Sequence, residues 1–121
     1  MTQVSKRKKP PQLRLPQCCG KLAEALDDRF FKALGDRTRL HILVCIAGCD
    51  EPQSVNEVAR CCSVDFSVVS RHLKMLHESG ILDAQRQGRF TRYSVRHREF
   101  VRRIRQLADA LDACRRQCHA P

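Results

Sequence analysis

The chain has 121 residues, and Lys plus Arg outnumber Asp plus Glu by 23 to 13, a formal net charge of +10. That length suits one small domain whose own core is marginal, and the charge suits a polyanionic partner rather than an acidic surface. No run approaches the roughly 18 apolar residues of a membrane span, and the basic N-terminus leads into no hydrophobic segment, so a cytoplasmic protein is expected.

Residues 1–17 carry five of the net positive charges (Lys6, Arg7, Lys8, Lys9, Arg14), no acid and several prolines. They read as a disordered basic arm, with the folded domain over residues 18–121. A helix is expected from about Lys21, with Leu22, Leu26, Phe30 and Leu34 on one stripe. Gly35 and Asp36 interrupt it, and Asp36 is placed to cap a second helix over 38–47. That second helix is apolar nearly all round, the mark of a buried centre.

Ser54-Val-Asn-Glu57 has the form of a capping box and opens a short helix reaching Cys62. After the turn at Ser63-Val64, Asp65 is placed to cap another helix ending near Ser79, with Gly80 as its stop. Residues 81–86 and 90–95 read as strands around a tip at Gln87-Gly88-Arg89. A final helix spans about 98–117, where Phe100, Ile104, Leu107, Leu111, Cys114 and Cys118 recur at spacings of four and three. Such a seam faces another helix rather than water, so it is assigned with the first helix to a dimer interface.

Two short helices, a tight turn and a basic hairpin make a winged helix-turn-helix, of mainly α character within the α+β class. Val69, Leu73 and Leu76 form the inward stripe of the second short helix. Phe66, Ser67, Ser70, Arg71 and Lys74 then point outward together, as suits major-groove base edges and phosphates of double-stranded DNA. Arg86, Arg89 and Arg92 on the hairpin suit an adjacent backbone. A thiol enzyme is poorly supported: there is no Cys-x-x-Cys beside a βαβ pattern and no phosphate-binding loop.

Three motifs carry a more specific resemblance. Residues 34–40 (Leu-Gly-Asp-Arg-Thr-Arg-Leu), 54–57 (Ser-Val-Asn-Glu) and 70–73 (Ser-Arg-His-Leu) resemble the arsenic-repressor (ArsR/SmtB) family of metal-responsive repressors over residues 21–115. The resemblance implies a homodimeric winged helix that holds operator DNA and releases it when an inducer binds. Phe66 departs from the polar residue that members often carry at the start of the recognition helix.

Eight cysteines in a reducing compartment suit soft-metal ligands or redox sensing better than disulfides. The family's paired zinc-type site on the last helix lacks its ligands here: only His97 lies near the start, and Leu107 stands ten residues on. A Cys-x-Cys pair at the start of the first helix-turn-helix helix is replaced by Ser54 and Asn56. There remain Cys18 and Cys19, between Pro16 and Gly20, and Cys49 beyond the apolar helix. In an irregular segment both N-terminal sulfurs could turn toward one ion, and three thiolates suit the pyramidal As(III) or Sb(III). A subgroup of the family is similar at Cys18, Cys19 and Cys49, which implies arsenite as inducer, with no organic cofactor. Cys45 with Cys114 is similar to the family's persulfide sensors and forms the alternative. Cys61, Cys62, Cys114 and Cys118 read mainly as packing, and His72 as support for its helix.

Overall fold

A computed structural model describes residues 17–118, with side chains over 19–117. The arm expected over residues 1–17 lies outside the described residues except for Gln17, which opens the first helix. The elements in chain order are α1 (Gln17–Ala25), α2 (Asp28–Leu34), α3 (Arg37–Ala47), β1 (Gln53–Ser54), α4 (Val55–Cys62), α5 (Phe66–Glu78), β2 (Leu82–Gln87), β3 (Phe90–Val95) and α6 (His97–Cys118). The strands form an antiparallel sheet of order β1-β3-β2. The fold is mostly helical α+β, a winged helix-turn-helix with flanking helices, as expected. None of the described helices is long and apolar enough to cross a membrane.

The single helix expected from Lys21 to Leu34 is two. Asp27 interrupts the stripe because its carboxylate accepts from the backbone N–H of Arg29 at 3.1 Å, capping α2. The stripe therefore splits: Phe30 is 2% exposed, whereas Leu26 is 51% exposed. The first helix also begins earlier than expected, with Cys18, Cys19 and Gly20 inside α1.

α3 is buried on one face only. Ile42, Leu43 and Ile46 lie in the core, while Leu40 and Val44 are 44% and 69% exposed. At about 100° per residue those two sets occupy opposite sides of the helix, so an all-apolar sequence leaves half its surface uncovered in the protomer. The core joins α2, α3, α4, α5 and the start of β2 through Phe30, Ile42, Val58, Leu73, Leu76 and Leu82.

α6 packs against α1, and Arg103 fixes it to the core. Its guanidinium lies 4.9 Å from the Phe30 ring centroid, pairs with Glu99 at 3.2 Å and Asp27 at 3.6 Å, and donates to the Ser79 carbonyl at 3.2 Å. One side chain thus meets α6, the α2 cap and the end of α5, a junction that helical periodicity does not reveal. Val101, Ile104 and Leu111 on α6 remain 43–50% exposed.

Candidate functional site

The turn between α4 and α5 is closed locally. Glu57 accepts from the Ser54 backbone N–H at 2.8 Å, and Ser54 Oγ accepts from the Glu57 N–H at 3.2 Å, completing the expected capping box. Ser63 takes φ 55°, ψ 41° and ends α4 in the left-handed conformation. Asp65 occupies the N-cap position of α5, yet it accepts from the Ser67 hydroxyl at 2.7 Å rather than from a backbone N–H. The expected cap is thus a side-chain pair that engages Ser67.

On α5, Val69, Leu73 and Leu76 are fully buried. With that stripe turned inward, Phe66, Ser67, Ser70, Arg71 and Lys74 are all exposed. The helix stops at Gly80, whose φ of +85° is a conformation glycine adopts without strain. Gln87 pairs with Phe90, so the hairpin turns on Gly88 and Arg89 alone, which exposes Arg89 at the tip. Arg92 is held differently: β1 sets Ser54 opposite Arg92, and the guanidinium donates to Glu57 Oε1 at 2.9 Å. The backbone N–H and hydroxyl of Ser54, followed by Arg92, hold the Glu57 carboxyl below its ordinary range. Arg92 therefore ties the wing to the capping box, while Arg89 has no such tie in the structure's ion pairs among the described residues.

Behind the exposed face, Asp36 caps α3 by accepting from the Arg39 N–H at 3.0 Å, which lowers its pKa. Arg39 itself donates to the carbonyls of Ala33 at 2.8 Å and Lys32 at 3.0 Å, and to His72 Nδ1 at 3.2 Å. Because a guanidinium only donates, Nδ1 must offer its lone pair, which places the His72 proton on Nε2 in the neutral ring. Burial holds the His72 pKa below 6.5; Asp36 opposes that shift, and Arg39 and Arg71 reinforce it.

The thiols fall into two groups. Cys19, at the start of α1, lies 3.8 Å from Cys114 of α6, Sγ to Sγ. That contact, with partial burial, raises the Cys19 pKa. The irregular Cys18-Cys19 segment expected between Pro16 and Gly20 is instead the first turn of α1, in which successive residues are about 100° apart around the axis. Gly20 lies within that helix. Cys49, exposed just past α3, lies instead by the second group: its thiol donates to the Cys45 carbonyl at 3.2 Å and helps raise the Cys45 pKa.

The second group lies between α3 and α4. Cys62 and Cys45 meet at 3.2 Å, Sγ to Sγ, and the ligand atoms of His41, Cys45 and Cys62 all lie within 4.8 Å of one another. Burial and then Cys62 raise the Cys45 pKa; hydrogen bonding with Cys45 raises that of Cys61. This convergence is absent from the sequence reading, which sets Cys45 beside Cys114 and takes Cys62 as packing. The four-residue spacing of His41 and Cys45 was its one available signal, since it places both on one side of a helix.

These elements define a winged helix-turn-helix protein with an exposed, basic second helix and a basic wing. The chain belongs to the HVO_A0114 family, whose model matches residues 36–101. No curated protein matches it. Among solved structures it is similar to an ArsR-like transcriptional regulator from Rhodococcus sp. RHA1, with 27% identity over 83% of this chain and 88% of that one, at a TM-score of 0.67. A predicted DNA-binding transcriptional regulator from E. coli is 26% identical over 79% and 90% of the two chains, with a TM-score of 0.55. The homodimeric winged helix-turn-helix DNA-binding domain of Mb0332 from Mycobacterium bovis shares the fold at 21% identity, covering 88% and 93%, with a TM-score of 0.58.

Proposed function

We propose that the protein is a cytoplasmic transcriptional repressor that binds operator DNA as a homodimer and lets go when As(III) or Sb(III) is bound by Cys18, Cys19 and Cys49. The observation that carries the DNA reading is the outward face of α5. Ser67, Ser70, Arg71 and Lys74 stand clear of the core on a rigid helix beside a wing whose tip is Arg89. Arg71 suits a base edge, Lys74 and Arg89 suit phosphates, and the serines suit either. The similarity to an ArsR-like transcriptional regulator points the same way. Exposed Val101, Ile104 and Leu111 supply an apolar stripe for a second copy, and Mb0332 is described as homodimeric.

The sensor reading rests on the softness and number of the thiols. Cys18 and Cys19 sit in the first turn of α1, whose N–H groups lack intrahelical partners, so opening that turn to bring both sulfurs to one ion sacrifices little hydrogen bonding. Cys49 is exposed and supplies the third thiolate, from the same chain or its partner. Binding there acts through the α1–α6 pair on the spacing of the two recognition helices. A coupling of about 1–3 kcal/mol weakens DNA affinity roughly 5–150-fold. The Cys19–Cys114 contact favours one second reading, a thiol-redox switch on the same helices.

The test is selection of a duplex from a random DNA pool, followed by anisotropy titrations of the complex with arsenite, antimonite, zinc, cadmium and a persulfide donor. Release by arsenite and antimonite is expected. Failure to select any duplex overturns the DNA reading, and release by the persulfide donor alone overturns the metalloid reading.

A further inference from the structure

We propose that His41, Cys45 and Cys62, with Cys61 as fourth ligand, form a site for a thiophilic divalent d10 cation of the zinc or cadmium type, clasping α3 to the end of α4. It uses none of the three cysteines assigned to As(III), and it does not depend on that assignment.

Two independent stretches of chain build the site. His41 and Cys45 are four residues apart on α3, so their side chains share a face one turn apart. Cys61 and Cys62 close the last turn of α4, immediately before the left-handed Ser63. Core packing presses these surfaces together: Cys62 is buried, its thiol touches that of Cys45 at 3.2 Å, and His41 completes a triad within 4.8 Å. Cys61 interacts with the thiols of both Cys45 and Cys62. Three sulfurs and one imidazole are the Cys3His donor set of closed tetrahedral zinc sites, and the softness of sulfur favours cadmium as well.

The geometry is near, not at, that of a filled site. A tetrahedral ion with metal–sulfur bonds of ~2.3 Å separates its sulfurs by roughly 3.8 Å. The Cys45 and Cys62 thiols must therefore part by about half an ångström, the other separations of the triad, at most 4.8 Å, contract by up to about an ångström, and Cys61, outside that triad, must turn its thiol in toward it. The changes within the triad are of the size that side-chain rotation supplies. A filled site would link the core helix α3 to the first helix of the helix-turn-helix, whose far end carries the capping box and Arg92. The occupied and empty forms would then differ in how firmly α4 is held under α5.

Cadmium binding to the reduced full chain tests this, in parallel with the full-length Cys18→Ser/Cys19→Ser/Cys49→Ser variant. The triple variant is expected to retain one equivalent of cadmium per chain, with sulfur-to-cadmium charge-transfer absorption, and zinc is expected to compete for it. Adding Cys45→Ser or His41→Ala should weaken binding at least tenfold; His41 is exposed, so its loss leaves the fold intact even if Cys62→Ala does not. Adding Cys61→Ser should remove about a third of the charge-transfer intensity. The proposal is overturned if the triple variant binds no cadmium, if His41→Ala and Cys45→Ser bind as tightly as their parent, if Cys61→Ser leaves the band unchanged, or if Cys45 and Cys62 only form a disulfide.

Discussion

Arg39 on α3 donates to Nδ1 of His72 on α5 at 3.2 Å, across 33 residues of sequence. The same guanidinium closes the end of α2 through the carbonyls of Lys32 and Ala33. Two motifs that carry the family resemblance, residues 34–40 and 70–73, thus meet at one side chain. Its position fixes how the exposed face of α5 is presented. Arg39→Ala should cost about 2 kcal/mol of stability, since it removes several charge-assisted hydrogen bonds at a partly buried site. Arg39→Lys should recover little, because an ammonium cannot span the three acceptors. Chemical denaturation of both variants checks this.

The His72 pKa lies below its ordinary 6.5 in the fold, so the unfolded chain binds the proton more readily. Its contribution to stability is fully present above pH 6.5 and is lost as pH falls through the depressed folded value. Asp36, Glu57 and Glu99 act at lower pH. Glu99, held mainly by the Arg102 hydrogen bonds, is depressed to about 2. These carboxylates stabilise the fold above their ordinary pKa, and that contribution fades between about pH 4.5 and 2. Denaturation across pH should show a decline in two stages. His72→Gln should flatten the upper stage and Glu99→Gln the lower.

What was legible in the sequence was largely local. The capping box at Ser54 and Glu57 and the inward triplet of α5 depend on near neighbours, and they stand as expected. The Leu22-Leu26-Phe30-Leu34 stripe misled because periodicity continues through Asp27, whose capping bond needs the chain to turn. β1 has two residues, too few for any alternating pattern, and it exists because β3 offers it a partner. The Cys45–Cys62 contact joins residues 17 apart through core packing, which no spacing rule encodes. Of the proposed DNA contacts, the sequence placed all on exposed or half-exposed positions, yet it could not show that Ser67 and Arg92 already hold protein partners.

That last difference ranks the basic residues. Arg71→Ala should cost about 1–3 kcal/mol in DNA affinity if it meets a base edge. Arg89→Ala should weaken binding and lower its salt dependence, as loss of a phosphate contact does. Arg92→Ala should weaken DNA binding less than Arg89→Ala, and should loosen the wing only slightly through loss of the half-exposed Glu57 pair. Anisotropy titrations at several salt concentrations separate the three, and an Arg92 loss equal to that of Arg89 would refute the ranking.

The exposed stripe of α6 predicts the assembly. Ile104→Glu and Leu111→Glu each place a charge where an apolar contact with a second copy is proposed, at positions 43% and 50% exposed in the protomer. Neither side chain supports the protomer core, so helicity and thermal unfolding of the monomer should change little. Sedimentation should show a shift from dimer to monomer, with DNA affinity falling in step because two half-sites are no longer gripped together. A variant that stays dimeric would move the interface off this stripe.

A panel of cysteine variants tests the sensor. Cys18→Ser, Cys19→Ser and Cys49→Ser should each bind the operator yet fail to release it with arsenite. The serine hydroxyl stays protonated near neutral pH, so the trithiolate loses a ligand and most of its affinity. Cys61→Ser and Cys62→Ala should leave arsenite release close to normal, because neither belongs to the proposed trithiolate. Cys114→Ser is the informative case, since Cys114 touches Cys19 without belonging to the proposed trithiolate. Release by arsenite should survive its loss, whereas a thiol-redox switch through the Cys19–Cys114 contact would be abolished. Arsenite release that persists in the Cys18→Ser/Cys19→Ser double variant would remove α1 from the sensor altogether.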